Sequence, residues 1–365
     1  MPNKSNSEVV KILILTPNLS NPGGVSALYN ILKLDQFENI EYFNVQGKKG
    51  QGLISRMFGL CMSYLKFLFK CFSFDIIHIN PSFDKKSFYR DGLYILISRI
   101  VGKKNLVYWH GWNIDFQDTL QSGKFSYLFF KLTYKRAHKH IVLGSVFKNR
   151  LINLKISEKD IIIESNAADD SFLKENQIIE NEKTDRIELL FIARIEEQKG
   201  IMIILNTMKI LNQYGNYHLK IAGDGPLLNA AKNKVENEHI SNVTFLGQIS
   251  GIDKHNAFSN SNILFFPTYY SEGMPISIIE AILYGLVIVS RPVGGIPDWV
   301  KVPVNGVLTD SLDPQEYAAL IDTVCADKEK INQIEVTNKE YAQSYFTPSA
   351  LTNRLFTYYS NIIAE

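Results

Sequence analysis

Short runs of Val, Ile, Leu and Phe alternate with segments of helical length along almost the whole chain. The runs Val10–Leu15, Ile40–Val45, Asp75–Ile79, Asn105–Trp109, Lys139–Leu143 and Ile161–Glu164 read as strands. Between them, Val25–Leu34, Leu53–Phe72, Lys85–Val101, Phe125–Ala137 and Val146–Leu154 read as helices. Residues 165–185 are polar and aperiodic, and then the rhythm restarts. Strands are expected at Glu188–Ala193, His218–Ala222, Asn242–Leu246, Ile263–Phe266, Val287–Ser290 and Gly306–Thr309. Helices are expected at Gly200–Gln213, Pro226–Glu238, Asp253–Ser259, Ile276–Leu283, Pro314–Cys325 and Lys328–Tyr345, with a last one after Thr347–Pro348. A strand that is apolar at consecutive positions is buried on both faces, which calls for a parallel sheet covered by helices on both sides. The fold class is therefore α/β, with two doubly wound parallel sheets. At about 150 residues per domain, 365 residues make two domains. The expected boundaries are 1–168, a linker 169–186, 187–345 and a terminal segment 346–365. Ligands of such sheets sit outside the carboxyl ends of the strands, so two facing domains would share a cleft.

Hydrophobic residues at 45% and charged residues at 21% exclude a disordered chain. Three cysteines fit neither a disulfide framework nor a zinc site, so a reducing compartment, the cytoplasm, is expected. Val9–Leu15 is strand-sized rather than a secretory signal, and no uncharged apolar run reaches the ~18–20 residues of a membrane-spanning helix. The net charge of +2 conceals an asymmetry. Residues 1–180 hold 24 Lys and Arg against 16 Asp and Glu, and residues 181–365 hold 15 against 21. The basic half can meet an anionic partner, or its charge can be solvated surface alone.

Several strand ends carry glycine turns. Gly23 and Gly24 precede a helix, where backbone N–H groups and the helix dipole attract an anion; a plain tight turn explains them equally. Gly223-Asp224-Gly225-Pro226 follows the strand His218–Ala222, and Gly294-Gly295 follows Val287–Ser290. Asp224 can face a ligand or cap the next helix. After Ala193 come Arg194 and Lys199, then Gly200 at a helix start. Two cations beside a helix N-terminus suit a diphosphate, with a surface ion cluster involving Glu196 and Glu197 as the other reading. Glu272 stands in the loop before helix Ile276–Leu283, and Glu280 stands within it among Ile278, Ile279, Ala281, Ile282 and Leu283. A carboxylate there is costly unless paired, either by a neighbouring cation or by a ribose diol.

Arg194 and Lys199-Gly200, Gly223-Asp224-Gly225-Pro226, and Glu272 and Glu280 followed by Gly285, Gly294 and Gly295 occur in this order. Together they resemble the donor-binding half of family 4 glycosyltransferases of the GT-B fold, two Rossmann-like domains facing across a cleft. The likeness is close over 187–345 and looser over 10–165. It implies a retaining, metal-independent transferase that uses a UDP- or GDP-linked sugar and no cofactor. Arg194 and Lys199 would neutralise the departing diphosphate. Glu280 would hold the ribose hydroxyls. Glu272 would touch the donor sugar beside the main chain of Gly273, Met274, Pro275 and Ile276. Leu246 would line the base, Gly223 the donor pocket, and Gly24 would approach the phosphates from the other domain. The terminal helix would cross back to the N-terminal domain. Two positions depart from the family pattern: Ala193 replaces a glycine and Val287 a proline. No Asp-x-Asp motif or close His/Asp cluster offers a metal site.

On the acceptor side, the strand end Trp109-His110-Gly111-Trp112 offers a His able to bond a sugar hydroxyl or handle its proton, with Trp109 and Trp112 able to stack on sugar faces. His110 and Trp112 are thus the candidate acceptor contacts. His78 reads as a core histidine. Residues 51–74 are apolar and aromatic, with Arg56, Lys66 and Lys70, and residues 103–159 add 11 basic residues against 3 acidic. That pattern suits docking on the anionic cytoplasmic leaflet, where a lipid-linked acceptor of bacterial surface polysaccharide (O-antigen or capsule) synthesis would be presented. A core helix, or a helix buried on one side and exposed on the other, reads equally well. Two other classes stay open, a nucleotide-sugar epimerase and a non-catalytic nucleotide-sugar-binding subunit. Nucleic acid is not an expected partner, since no basic, aromatic stripe crosses the acidic half.

Overall fold

A computed structural model describes residues 9–21, 23–45, 52–174, 186–214, 216–270 and 273–365. The chain divides into two compact units, Met1–Glu164 with Leu351–Glu365, and Ser165–Ala350.

The first unit contains β1 (Ile12–Thr16), β2 (Ile40–Asn44), β3 (Ile76–Ile79), β4 (Ser82–Phe83), β5 (Lys104–Tyr108), β6 (Gly111–Trp112), β7 (Lys139–Val142) and β8 (Ile161–Ile163). Six of these form one parallel sheet in the order β2-β1-β3-β5-β7-β8, and β4 and β6 pair as a separate parallel ribbon. The middle strands β1, β3 and β5 are buried along nearly their whole length, and Leu13, Ile77 and Val107 lie in a core with Phe67, Phe88, Tyr94 and Phe130 of the helices. Residues 351–365 complete this unit. The Tyr359 hydroxyl bonds His78 Nδ1 at 2.7 Å, and Arg354 grips the fully buried Glu164 through Nε and Nη2 at 2.7 and 2.9 Å.

The second unit holds β9 (Ile187–Ile192), β10 (Tyr217–Ala222), β11 (Val243–Gly247), β12 (Ile263–Phe266), β13 (Val287–Ser290) and β14 (Gly306–Leu308). They form a parallel sheet in the order β11-β10-β9-β12-β13-β14, in which the direction of winding reverses between β9 and β12. In the first sheet the reversal falls between β1 and β3. The crevice at such a reversal, beyond the strand carboxyl ends, is where open α/β sheets take their ligands.

Three local features depart from the sequence reading. Helix Ile114–Ser122 was not expected, and the segment expected as one helix over Phe125–Ala137 is a helix over Lys124–Leu132 followed by a short 3-10 turn. The 165–170 stretch is not an exposed linker: Ser165, Ala167, Ala168 and Asp170 are buried, and Ala168 N–H donates to Phe346 O at 3.0 Å. Residues 175–185 of the expected linker lie outside the described residues. Among the described residues no helix is long and apolar enough to cross a membrane.

Candidate active site

The loops that leave β9 and β12 flank the reversal point of the second sheet. Tyr269 N–H donates to Gln198 O at 2.9 Å and ties the two loops together. Gly200 adopts φ +83°, and a Cβ there would meet Pro267 O at 2.6 Å, so the turn that carries Lys199 closes only with glycine. Lys199 Nζ lies 5.0 Å from the Tyr270 ring centroid and 5.8 Å from that of Phe266. Arg194 is 68% exposed in its side chain and pairs with Glu196 through Nε at 2.9 Å. This is the ion pair read as the alternative from sequence. An exposed pair is worth only about 0–1 kcal/mol, so a phosphate can displace it.

The Gly223-Asp224-Gly225 turn packs against that loop. Gly223, at φ +135°, would place a Cβ 1.9 Å from Ala193 O, and Ile195 N–H donates to Asp224 O at 2.9 Å. Gly223 N–H donates to Gly247 O at 2.7 Å. The Gly223 amide is thus engaged within the protein, and its missing side chain lets the Arg194 turn come close. Asp224 does not cap helix Leu228–Asn237, since its carboxylate accepts from Gly225 N–H at 2.7 Å. Leu246, on edge strand β11, is partly exposed.

Glu272 lies outside the described residues. The backbone after it is held at both ends: Gly273 O accepts from Gly295 N–H at 2.9 Å, and the buried Met274 gives its carbonyl to Asn166 Nδ2 at 3.3 Å. Pro275 caps helix Ile276–Leu283, so the first-turn amides of Ile276 and Ser277 head the helix without intrahelical partners. Glu280, 12% exposed in its side chain, pairs with Lys254 Nζ at 2.5 Å. Burial pushes the Glu280 carboxyl above its ordinary value; Lys254 pulls it down, and Asp169 adds to the rise.

In the first unit, Gly24 opens helix Gly24–Leu32, and no atom lies within 4 Å of the place a Cβ would take. His110 sits just beyond β5, with Nε2 2.8 Å from Asn80 Oδ1. A carboxamide oxygen only accepts, so Nε2 carries the proton and Nδ1 is the basic nitrogen. Asn80 Oδ1 also accepts from the Tyr29 hydroxyl at 2.8 Å, and Asn80 Nδ2 donates to Leu15 O at 2.9 Å. His78, fully buried between the Tyr29 and Tyr359 hydroxyls, is the core residue read from sequence. Burial, aided by nearby His110, lowers its pKa to about 3.

Residues 174–341 match the family model described as glycosyl transferases group 1. That segment carries a glycosyltransferase domain of this group, and the chain is a glycosyltransferase. It is 23% identical over 316 residues to a 41.2 kDa protein of the cps region of Klebsiella pneumoniae, covering 84% of each chain. Its fold is similar to that of Anabaena HepE solved in complex with UDP, with a TM-score of 0.73, 17% identity and coverage of 96% of this chain and 100% of that one. The lipopolysaccharide outer core galactosyltransferase WaaB has a TM-score of 0.65, 18% identity and coverage of 95% and 99%. The fold is GT-B.

In this glycosyltransferase Trp109 is structural, which corrects its sugar-stacking reading. Trp109 is 2% exposed and gives its indole N–H to His140 Nδ1 at 3.2 Å. Trp112 is half-buried. Its ring stacks on Phe83 with centroids 4.5 Å apart, and its N–H goes to Gln117 at 2.8 Å. Two site residues had no mark in the sequence: Lys254, which meets Glu280 only through tertiary packing, and Asn80, whose value lies in bonding three groups at once.

Proposed function

We propose that this glycosyltransferase moves a sugar from a UDP- or GDP-linked donor, with retention and without a metal, to a glycan acceptor, a lipid-linked intermediate of bacterial surface polysaccharide. The observation that carries the reading is that the loops after β9 and β12, the first carrying Arg194 and Lys199 and the second leading into helix Ile276–Leu283 with Glu280 a turn inside, flank one sheet reversal and are tied by Tyr269 N–H to Gln198 O. The bond from the sugar C1 to the diphosphate breaks while the acceptor oxygen bonds to C1, and the proton of the acceptor hydroxyl passes to an oxygen of the departing diphosphate. Arg194, Lys199 and the amides of Ile276 and Ser277 meet the charge on the leaving diphosphate. Glu280 accepts from the ribose hydroxyls and shares its charge with Lys254. Glu272, Gly273, Met274 and Pro275 border the donor sugar, Leu246 the base, and Gly24 leaves open space for a phosphate. His110 offers Nδ1 to the acceptor hydroxyl.

The acceptor class draws support from what the similar proteins' names say and from the helix Leu53–Cys71. Phe67 and Cys71 are buried, whereas Phe58, Met62, Leu65, Phe69 and the capping Phe72 are exposed at alternating spacings of four and three. That is one apolar stripe on the basic unit, suited to an anionic leaflet. The cytoplasmic face of the membrane is thus the proposed place of work.

The test is nucleotide release from a panel of UDP- and GDP-sugars, with EDTA present and a bacterial lipid extract as acceptor. Acceptor-dependent release from one donor, lost in Glu280→Ala and Lys199→Ala, is expected. Release that needs a divalent metal would remove the metal-independent reading. Epimerised sugar still joined to its nucleotide would replace transfer with epimerisation, and tight UDP binding without turnover on any acceptor would point to a binding subunit.

A further inference from the structure

The reversal point of the first sheet, between β1 and β3, holds a cavity of about 240 Å³. Its polar wall is Asn80, Ser82, Asp84, Lys86, Arg90 and Asp91, all on or just after the loop that follows β3. Asp91 is 2% exposed, and both carboxylate oxygens are engaged: Oδ1 by Arg90 Nε at 2.7 Å, and Oδ2 by Arg90 Nη2 at 2.8 Å and the Ser87 hydroxyl at 2.7 Å. Asp84 Oδ1 caps helix Lys85–Ile100, accepting from Lys86 and Ser87 N–H at 3.0 and 3.1 Å.

Charge decides what fits. Two cations and two carboxylates cancel, and Asp84 already occupies the helix N-terminus, so a phosphate gains nothing there and meets two like charges. A sugar hydroxyl both donates and accepts, and it finds ammonium, guanidinium, carboxylate and hydroxyl partners side by side. The volume falls below the ~300–1,000 Å³ of sites for larger ligands, which limits the occupant to about one ring. The same wall reaches the acceptor machinery, because Asn80 holds His110.

We propose that this cavity binds one neutral ring of the acceptor saccharide and that Asp84, Lys86, Arg90 and Asp91 select it by its hydroxyls. The inference rests on the acceptor reading of the first unit and names the part of that unit that reads the sugar.

Saturation-transfer NMR with hexoses, N-acetylhexosamines and deoxyhexoses, in saturating UDP, tests it. The variants are Lys86→Ala at the rim and Asp84→Asn, which keeps a capping side chain. Asp91→Asn follows, with a thermal unfolding curve to check its fold. At least one sugar should bind wild type and lose about tenfold in affinity in the first two variants, the loss of roughly one hydrogen bond to a charged group. No sugar binding, equal binding by wild type and both variants, or displacement of the sugar by pyrophosphate would each overturn the proposal. The UDP titration in the same samples reports on the donor reading separately: wild type that binds UDP while the cavity variants bind sugar normally loses this inference and keeps the glycosyltransferase reading.

Discussion

Lys254 Nζ lies 2.5 Å from Glu280 Oε1, so the one carboxylate inside the apolar helix Ile276–Leu283 is paired with a lysine from another helix. Glu280→Gln keeps the shape and removes the acceptor of two ribose hydroxyls. UDP affinity should fall about 10- to 100-fold, the scale of a charged hydrogen bond or two, as read by calorimetry. Lys254→Met should act through pH. Without the ammonium, burial raises the carboxyl further, and UDP binding should weaken on acidification at a higher pH than in wild type. Binding with the same pH dependence in both proteins would separate Glu280 from the ribose.

Lys199→Ala and Arg194→Ala should each lower the transfer rate by about 10²-fold, the cost of removing one preorganised group from a developing charge. Neither should move the unfolding midpoint appreciably, because Arg194 is exposed and its pair with Glu196 is of the weak surface kind. Arg194→Lys should recover only part of the rate, since a point charge replaces a fork.

Asn80 ties Leu15 O, the Tyr29 hydroxyl and His110 into one network. Asn80→Leu should cost about 1–3 kcal/mol for each buried group left unpaired, seen in urea unfolding. Asn80→Asp puts a negative charge beside His110 and should move the acid limb of the acceptor-dependent rate to higher pH. A merely structural role would leave that limb in place.

His78 and His140 are both fully buried, and burial is the chief cause that lowers their pKa values to about 3 and about 4. The unfolded chain takes up these protons near pH 6.5 and the folded one only far below. Stability is therefore complete above about pH 6.5 and declines as pH falls towards 4, by up to about 1.4 kcal/mol per unit for each histidine. His140→Gln, whose amide oxygen can still accept from Trp109, should flatten the fall in urea midpoint between neutral pH and pH 5.

Phe58→Glu and Phe69→Glu should each reduce co-sedimentation with phosphatidylglycerol vesicles by about tenfold or more, since burying one phenyl ring contributes about 1.5–3 kcal/mol. Added salt should weaken binding further, and neutral vesicles should bind less at equal lipid. Equal binding by wild type and both variants would leave this stripe for another partner.

Strands such as Ile263–Phe266 and Val287–Ser290 were legible to the residue because a strand covered on both faces is apolar at consecutive positions, and no turn competes inside it. Helix Ile114–Ser122 was not, because Asp115, Gln117, Asp118 and Thr119 break any apolar period. The two-residue strands β4 and β6 are shorter than any pattern. Arg194, Lys199 and Glu280 stood out because charge at a strand end or inside an apolar helix is locally conspicuous. Lys254 and Asn80 did not, because a polar residue's importance there comes from a partner far off in sequence. Trp109 misled for a related reason: an aromatic at a strand end is equally legible whether it faces solvent or the core, and here it faces the core.

Tyr359 on His78 and Arg354 on Glu164 mean that the chain leaves the first unit at Glu164 and returns to it at Leu351. During synthesis the ribosome releases residues 1–164 long before their last packing partner exists. The nascent first unit must therefore wait, with Glu164 and His78 uncovered, until Ser165–Ala350 has been made, and the unit begun first is the one finished last.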